Sequence, residues 1–388
     1  LRAKKISHPN IKIAFITDPI NRVYSSDIPE GQQILGDSGI QVVETNLDIL
    51  RDSNPVYSAV WRTIIQFLPL NLMTFNHIFD YTGEKIGLAS YAKMLNFKAN
   101  HRKLILTDYT DDKGDGKMSV LVTSANPHNG SSAHGNIALR VDGNIWKDVY
   151  SAERAVAEMS GAEIFVINDD HNPSVNNSSK SLNVQFLTEG KIGKSVTQSI
   201  KDTQSGDVIK MAMFYIADRE VVIALKEAYK RGVILRLIFD PSKDAFGRTK
   251  NGLPNVAVAK ELKDMSKELI AINASEENEN LQIRWCDTHG EQCHAKLLFI
   301  QKKETIEAFV GSANFTKRNL RDYNLEANFR VVSNTSDSIV MNNISEYFDT
   351  LWQNKDGEYT TEYSSYADES IRKYWQYRIM EFTGLSTF

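Results

Sequence analysis

The chain has 388 residues, 41% of them hydrophobic and 24% charged, with a formal net charge of −4. That length supports two domains or one duplicated domain with an ample core, and the slightly acidic balance excludes a global basic field for nucleic acid. The most apolar stretch, Val56 to Phe75, is interrupted by Arg62, Gln66, Pro69 and Asn71, which excludes an ordinary membrane span.

In chain order, Leu1 to Lys5 reads as the tail of a helix leading into an apolar strand, Ile11 to Ile16, that ends in Asp18-Pro19. The same order recurs as Leu225 to Lys230, Arg231-Gly232, the strand Val233 to Phe239 and Asp240-Pro241. There a further strand, Val208 to Tyr215, comes first. Nothing equivalent precedes Leu1, so a strand and most of a helix are expected upstream, and an opening Leu in place of Met leaves a targeting or anchoring segment open. Asp18 and Asp240 are read as turn or cap residues. Gln32 to Leu35 is expected as helix and Ile40 to Val43 as strand. Val56 to Phe75 has no clean period, and a buried segment and a lipid-facing or substrate-tail surface both remain open. Ala89 to Phe97 then leads to the first histidine motif.

His101-Arg102-Lys103 opens the strand Leu104 to Leu106, and the strand Ser119 to Val122 ends in Thr123-Ser124-Ala125-Asn126. The pattern returns as His294, Lys296, Leu297 to Ile300, Ala308 to Val310 and Gly311-Ser312-Ala313-Asn314. The first copy is the longer, and its excess fits the turn-rich insertion Tyr109 to Lys117. On a strand, residues i and i+2 project from one face, so each imidazole shares a space with an ammonium. The small residues after the second strand let the backbone turn and present an amide and a hydroxyl. A titratable nitrogen, a fixed cation and neutral donors together suit an anionic tetrahedral centre such as a phosphodiester.

Equally far beyond the two asparagines come Asn136-Ile137-Ala138 and Asn324-Leu325-Glu326. Each leads to a strand (Ala138 to Val141; Ala327 to Val332) and an amphipathic helix (Trp146 to Met159; Ser338 to Trp352). Glu163 to Asn168 is expected as one more strand, and polar Asp169 to Ser181 as a linker. The expected organisation is a first half 1–168, a linker 169–181 and a second half 182–388. Ala274 to Asn280 reads as a surface loop. The aromatic-rich C-terminus, Ser370 to Phe388, reads as a docked amphipathic helix or a membrane-surface contact. The alternation implies an α/β fold: two α/β/α sandwich halves, related by a pseudo-twofold axis, with the active site at their seam. His128 and His134, in the turn after Asn126, are read as solvated bystanders near the pocket.

Cys286 and Cys293 bracket the polar loop before His294. Two free thiols, a disulfide implying an oxidising compartment, and a zinc site with His289 and His294 are the open readings. The last would consume the proposed catalytic histidine.

The duplicated motif resembles the phospholipase D superfamily, marked by two copies of H-x-K-x(4)-D followed by G-S-x-N or G-G-x-N, and within it the bacterial phospholipases D and cardiolipin synthases. The first copy supplies His101, Lys103, Asp108, Ser124 and Asn126, with Thr123 in the usual Gly place. The second supplies His294, Lys296, Ser312 and Asn314, with Gln301 where the Asp belongs. The resemblance implies a covalent phosphohistidine route with His101 as nucleophile and His294 as general acid and base. Lys103, Lys296, Asn126 and Asn314 would bind the phosphate, assisted by Ser124 and Ser312, and Asp108 would be structural. Glu326, for which counting gives Ala138 as the first-copy match, is assigned to orient His294. No metal or cofactor is called for, because two lysines supply the cations.

A phospholipid is the expected substrate, reached through a membrane-surface contact by a membrane-associated or extracytoplasmic protein with no obligate protein partner. Two alternatives stand: a nuclease or nucleotide phosphodiesterase of the same superfamily, and a non-catalytic phospholipid-binding protein.

Overall fold

In a computed structural model the described residues are 1–19, 30–69, 74–75, 86–89, 92, 95–127, 129–167, 182–245, 248–273, 279–334, 338–384 and 386. The expected linker Asp169 to Ser181, most of the acidic loop from Ala274, and His128 lie outside them. The chain forms two compact units, Leu1–His101 with Trp146–Asn172, and Arg102–Ile145 with Pro173–Ser386. Packing and sequence repeat thus divide the chain differently.

In the first unit, β1 (Ala14–Thr17) pairs in parallel with β2 (Gln41–Glu44). Parallel neighbours need a crossover, and the helix Glu30–Asp37 supplies it. The predicted helix Trp146–Met159 forms over that span and buries Trp146, Val149, Val156 and Ala157. Glu163 to Ile167, expected as strand, enters no ladder. Side chains take its carbonyls instead: Gln41 Nε2 donates to Glu163 O (2.7 Å) and Tyr150 Oη to Phe165 O (2.9 Å). Asn54 caps the helix Pro55–Thr63, accepting from Tyr57 N at 3.3 Å, with Pro55 suited to the first turn. Val56 is 70% exposed and Phe67 76%, with Val60, Ile64 and Leu68 also exposed. Residues 56–69 therefore expose most of their apolar side chains, with Tyr57, Trp61 and Ile65 half-buried and Ser58 buried. Two short strands, β3 (Thr74–Phe75) and β4 (Ile86–Gly87), pair antiparallel.

In the second unit, β5 (Leu104–Thr110), β6 (Gly116–Thr123) and β7 (Ala138–Asp142) make an antiparallel meander. Later come β8 (Leu182–Thr188), β9 (Val208–Met213), β10 (Ile234–Phe239), the short hairpin β11 (Asp244–Ala245) and β12 (Arg248–Thr249), and β13 (Leu281–Cys286). The second motif occupies β14 (Lys296–Gln301) and β15 (Ile306–Gly311), followed by β16 (Ala327–Ser333) and β17 (Thr360–Glu362). Eight strands form one sheet in the order β17-β13-β10-β9-β14-β15-β16-β8. It is mixed: β10 runs parallel to β9 and β13, and the other neighbours are antiparallel. β15 is buried from end to end and β14 over all but its last residue, as strands covered on both faces must be. β6 and β7 lie against β15, and β6 also against β16, which explains why Arg102–Ile145 packs with the second unit.

The two motif meanders share one register. Leu104, three residues after His101, faces Val122, four before Asn126; Leu297 and Val310 stand in the same relation to His294 and Asn314. Thr123 then pairs with Ala138, and Gly311 with Asn328. The helix Ile339–Gln353 follows β16, capped by Ser338, and the chain closes on the helix Ile371–Thr383. That last helix docks through Tyr377, wholly buried, whose hydroxyl donates to Ala217 O at 3.2 Å. Ile371, Trp375, Ile379 and Phe382, on its other side, are exposed. No described helix is long and apolar enough to cross a membrane.

Candidate active site

The second motif is the more deeply set. His294 is 4% exposed and Lys296, on the first position of β14, 1%. Lys296 Nζ donates back to His294 O at 2.8 Å and lies 5.0 Å from the centroid of the Phe214 ring, whose centroid is 4.8 Å from that of His294. Burial holds this ammonium well below the ordinary lysine range, and the nearby Lys103 cation adds to the effect, while Glu326 and Asp240 pull the other way. Two buried cations in one place are costly unless an anion joins them, and a bound phosphate would relieve both the desolvation and the repulsion.

The Ser-x-Asn turns are built alike. In the second copy Ser312 N donates to Ala327 O (2.9 Å), Ala327 N to Ser312 Oγ (2.9 Å), and Ser312 Oγ to the Glu326 carboxylate. In the first, Ser124 N donates to Ile137 O (2.9 Å), Ile137 N to Ser124 Oγ (3.0 Å), and Ser124 Oγ to Asn136 Oδ1 (3.2 Å). Atom for atom, Glu326 corresponds to Asn136, and Ala138 to Asn328. Counting gave Ala138 as the match because the connection to β7 is two residues shorter than that to β16, a difference only the ladder reveals. Both serine hydroxyls donate within their own turns, to Glu326 and to Asn136, and so brace them. Asn314 is 7% exposed, and its buried amide oxygen has no hydrogen-bond partner among the described residues, unspent capacity of the kind found at ligand sites. Asn126 N donates to Ser131 Oγ at 3.0 Å.

The His294 ring is fixed by the first copy. Its Nδ1 lies 3.1 Å from Asn136 Oδ1. The amide has only one possible orientation, because Nδ2 donates to the carbonyls of Ser131 and His134, both at 2.9 Å. Oδ1 therefore faces the ring as an acceptor and Nδ1 carries a proton, which leaves Nε2 to give or take the second one. Glu326, expected beside His294, uses its carboxylate to accept from Ser312 Oγ and Asn319 Nδ2, with Asn319 held in turn by Thr316 Oγ1 (2.6 Å). Its backbone N–H donates to Glu189 Oε1 (3.1 Å), which also takes the Arg102 guanidinium at 2.7 Å.

Asp18 and Asp240 do more than end strands. Asp18 accepts the backbone N–H of Asn100, and Asp240 that of Cys293 (2.8 Å), in each case the residue before the motif histidine. Ser242 N also donates to Asp240 (2.7 Å). The strand-Asp-Pro repeat was the available signal; its target was not visible in the sequence. Asp108 and Gln301 sit at matching places on β5 and β14, and both are exposed, so the second-copy Gln replaces a surface group. Cys286 and Cys293 are bridged, which removes the zinc reading by consuming both thiols. His101 stands in the first unit and Lys103, 6% exposed, in the second. His134 is no solvated bystander: its ring centroid lies 6.0 Å from that of His294.

Residues 196–352 match the family model described as the PLD-like domain of cardiolipin synthase. No curated protein matches the chain. Among solved structures, the phospholipase D family member Nuc from Salmonella typhimurium is 19% identical with a TM-score of 0.33, over 44% of this chain and 95% of its own. Phosphatidylserine synthase from Haemophilus influenzae Rd KW20 is 11% identical with a TM-score of 0.48, over 99% and 92%. Polyphosphate kinase from Porphyromonas gingivalis is 12% identical with a TM-score of 0.48, over 99% and 46%. The chain carries a phospholipase D-like α/β fold built on a large mixed sheet.

Proposed function

We propose that the protein is a phosphodiesterase of the phospholipase D type that hydrolyses phospholipids or transfers their phosphatidyl group. The observation that carries the reading is the shared register of the two H-x-K…S-x-N meanders, with His294 locked as its Nδ1–H tautomer beside a fully buried lysine. A binding module needs an anion site but has little use for two imidazoles.

The halves act as a duplicated pair with His101 and His294 serving one phosphate. Lys103, Lys296, Asn126 and Asn314 hold the non-bridging oxygens and the charge that grows on them. His101 attacks phosphorus, the P–O bond to the leaving alcohol breaks, and His294 delivers a proton to that oxygen. Water or a second alcohol then attacks phosphorus, the P–N bond breaks to release His101, and the attacking group's proton returns to His294. Glu326 holds the place that Asn136 holds in the first copy, and its carboxylate serves to orient a catalytic imidazole and support its positive charge. An amide on His294 adds no such charge, which favours giving its proton up.

Lipid as substrate is supported by two exposed apolar sets, Val56, Val60, Ile64 and Phe67 on one helix and its extension, and Ile371, Trp375, Ile379 and Phe382 on another. The disulfide fits an oxidising compartment. The deciding assay incubates the protein, in chelator, with phosphatidylglycerol or phosphatidylcholine vesicles plus a primary alcohol, and separately with single-stranded DNA. Transphosphatidylation lost in His101→Ala supports the reading. Cleavage of DNA alone would transfer the protein to the nucleases, and lipid binding without turnover would make it a binding protein.

A further inference from the structure

We propose that His134 is a positioning residue for His294, acting through the backbone of Gln292. This rests on the reading of His294 as the acid and base. Three consecutive first-copy residues grip the second-copy segment that leads into the motif. His134 Nδ1 accepts from Gln292 N at 3.0 Å, Gly135 N donates to Gln292 O at 3.0 Å, and Asn136 Oδ1 meets His294 Nδ1 at 3.1 Å. Gln292, two residues before His294, is thus bonded through both its N–H and its C=O.

His134 also acts from its other end, since its carbonyl accepts from Asn136 Nδ2 at 2.9 Å and helps set the amide that faces His294. Accepting at Nδ1 requires the lone pair there, so His134 is neutral with its proton on Nε2. The loop it holds, Asp287 to Gln292, is closed by the Cys286–Cys293 bridge, and Cys293 N is tied to Asp240 at 2.8 Å. Each anchor fixes a different atom of the approach to His294, and His134 fixes the Gln292 amide.

Three substitutions separate this role from its rivals. Asparagine places an oxygen near the position of imidazole Nδ1, glutamine places one near Nε2, and alanine offers neither. On short-chain phosphatidylcholine, His134→Asn is expected to keep kcat within about threefold, while His134→Gln and His134→Ala lose about ten- to a hundredfold in kcat with KM little changed, the scale of one buried hydrogen bond. Nitrogen-15 spectra of the His294 ring, recorded without substrate, should show the Nδ1–H tautomer in wild type and His134→Asn, and mixed tautomers in the other two. Rescue by Gln and not Asn would overturn the proposal in favour of a substrate contact through Nε2. Wild-type kinetics and spectra in all three would overturn it outright. If no phosphodiester is turned over even by wild type, the enzymatic reading fails, and the ring spectra still decide whether His134 positions His294. Thermal melts of the Asn and Gln variants, which preserve polarity and volume, guard against misfolding in the Ala variant.

Discussion

Replacing Asn136 by Asp puts a charge where an amide now stands, 3.1 Å from His294 Nδ1. A carboxylate and an imidazolium with charge centres about 4 Å apart attract by about 1 kcal/mol in water and about 4 kcal/mol at the effective dielectric near a protein surface. At 1.36 kcal/mol per unit, that raises the imidazolium pKa by about one to three units. His294 must carry its proton to release the leaving alcohol, so kcat/KM falls as pH rises through that pKa. Raising the pKa moves the alkaline limb of the profile upward by the same one to three units, and the acid limb, set by the nucleophile, stays. The assay is kcat/KM on short-chain phosphatidylcholine from about pH 4 to 10. Asp also loses the two Nδ2 donors to Ser131 O and His134 O, so the melting temperature should drop. An acid limb that moves in place of the alkaline one would make His294 the nucleophile. Two unmoved limbs would show that residue 136 does not govern His294 at all.

Glu326→Gln should lower kcat about ten- to a hundredfold, because its carboxylate is buried and committed, whereas Gln301→Ala, at an exposed strand end, should stay within about twofold; equal effects in steady-state kinetics would contradict the orienting role. Gly311→Ala should destabilise the fold by about 1–3 kcal/mol in urea unfolding, since the new Cβ would collide with Ala327 O in the neighbouring strand. An unchanged midpoint would mean that β15 and β16 are not so closely apposed. Burial alone would raise the Glu307 carboxyl, but bonds from Lys302 (2.6 Å), Ser199 (2.7 Å) and Arg330 (2.8 Å) outweigh it and hold the pKa below the ordinary value. Its contribution is therefore full above the unfolded-state pKa and is lost as pH falls through the lower folded value. Urea unfolding of Glu307→Gln should accordingly show a shallower loss of stability in acid than wild type, and parallel curves would refute the linkage.

The strand positions were legible because the motif spacing is a ladder in disguise. A histidine three residues ahead of the first pair and an asparagine four beyond the last fix the same register in β5–β6 and β14–β15. The helices Trp146–Met159 and Ile339–Gln353 were legible from their period, with Ser338 as a visible cap. Glu163 to Ile167 misled, because an apolar run is strand only when a neighbour offers a ladder, and here Gln41 and Tyr150 take the carbonyls. Loop lengths carry no register, so counting past Asn126 and Asn314 paired Glu326 with Ala138, and only the bonds of Ser124 and Ser312 identify Asn136. His134 was hidden for the same reason: its partner, Gln292, lies 158 residues away.

The most direct test of the paired-histidine mechanism is acid- and heat-controlled mass spectrometry of the protein quenched during turnover of a short-chain phospholipid. A phosphatidyl adduct on His101 in the wild-type protein, absent from His101→Ala, is the predicted result. Turnover that proceeds with no adduct on any histidine, or an adduct that persists on another residue after His101→Ala, would contradict it.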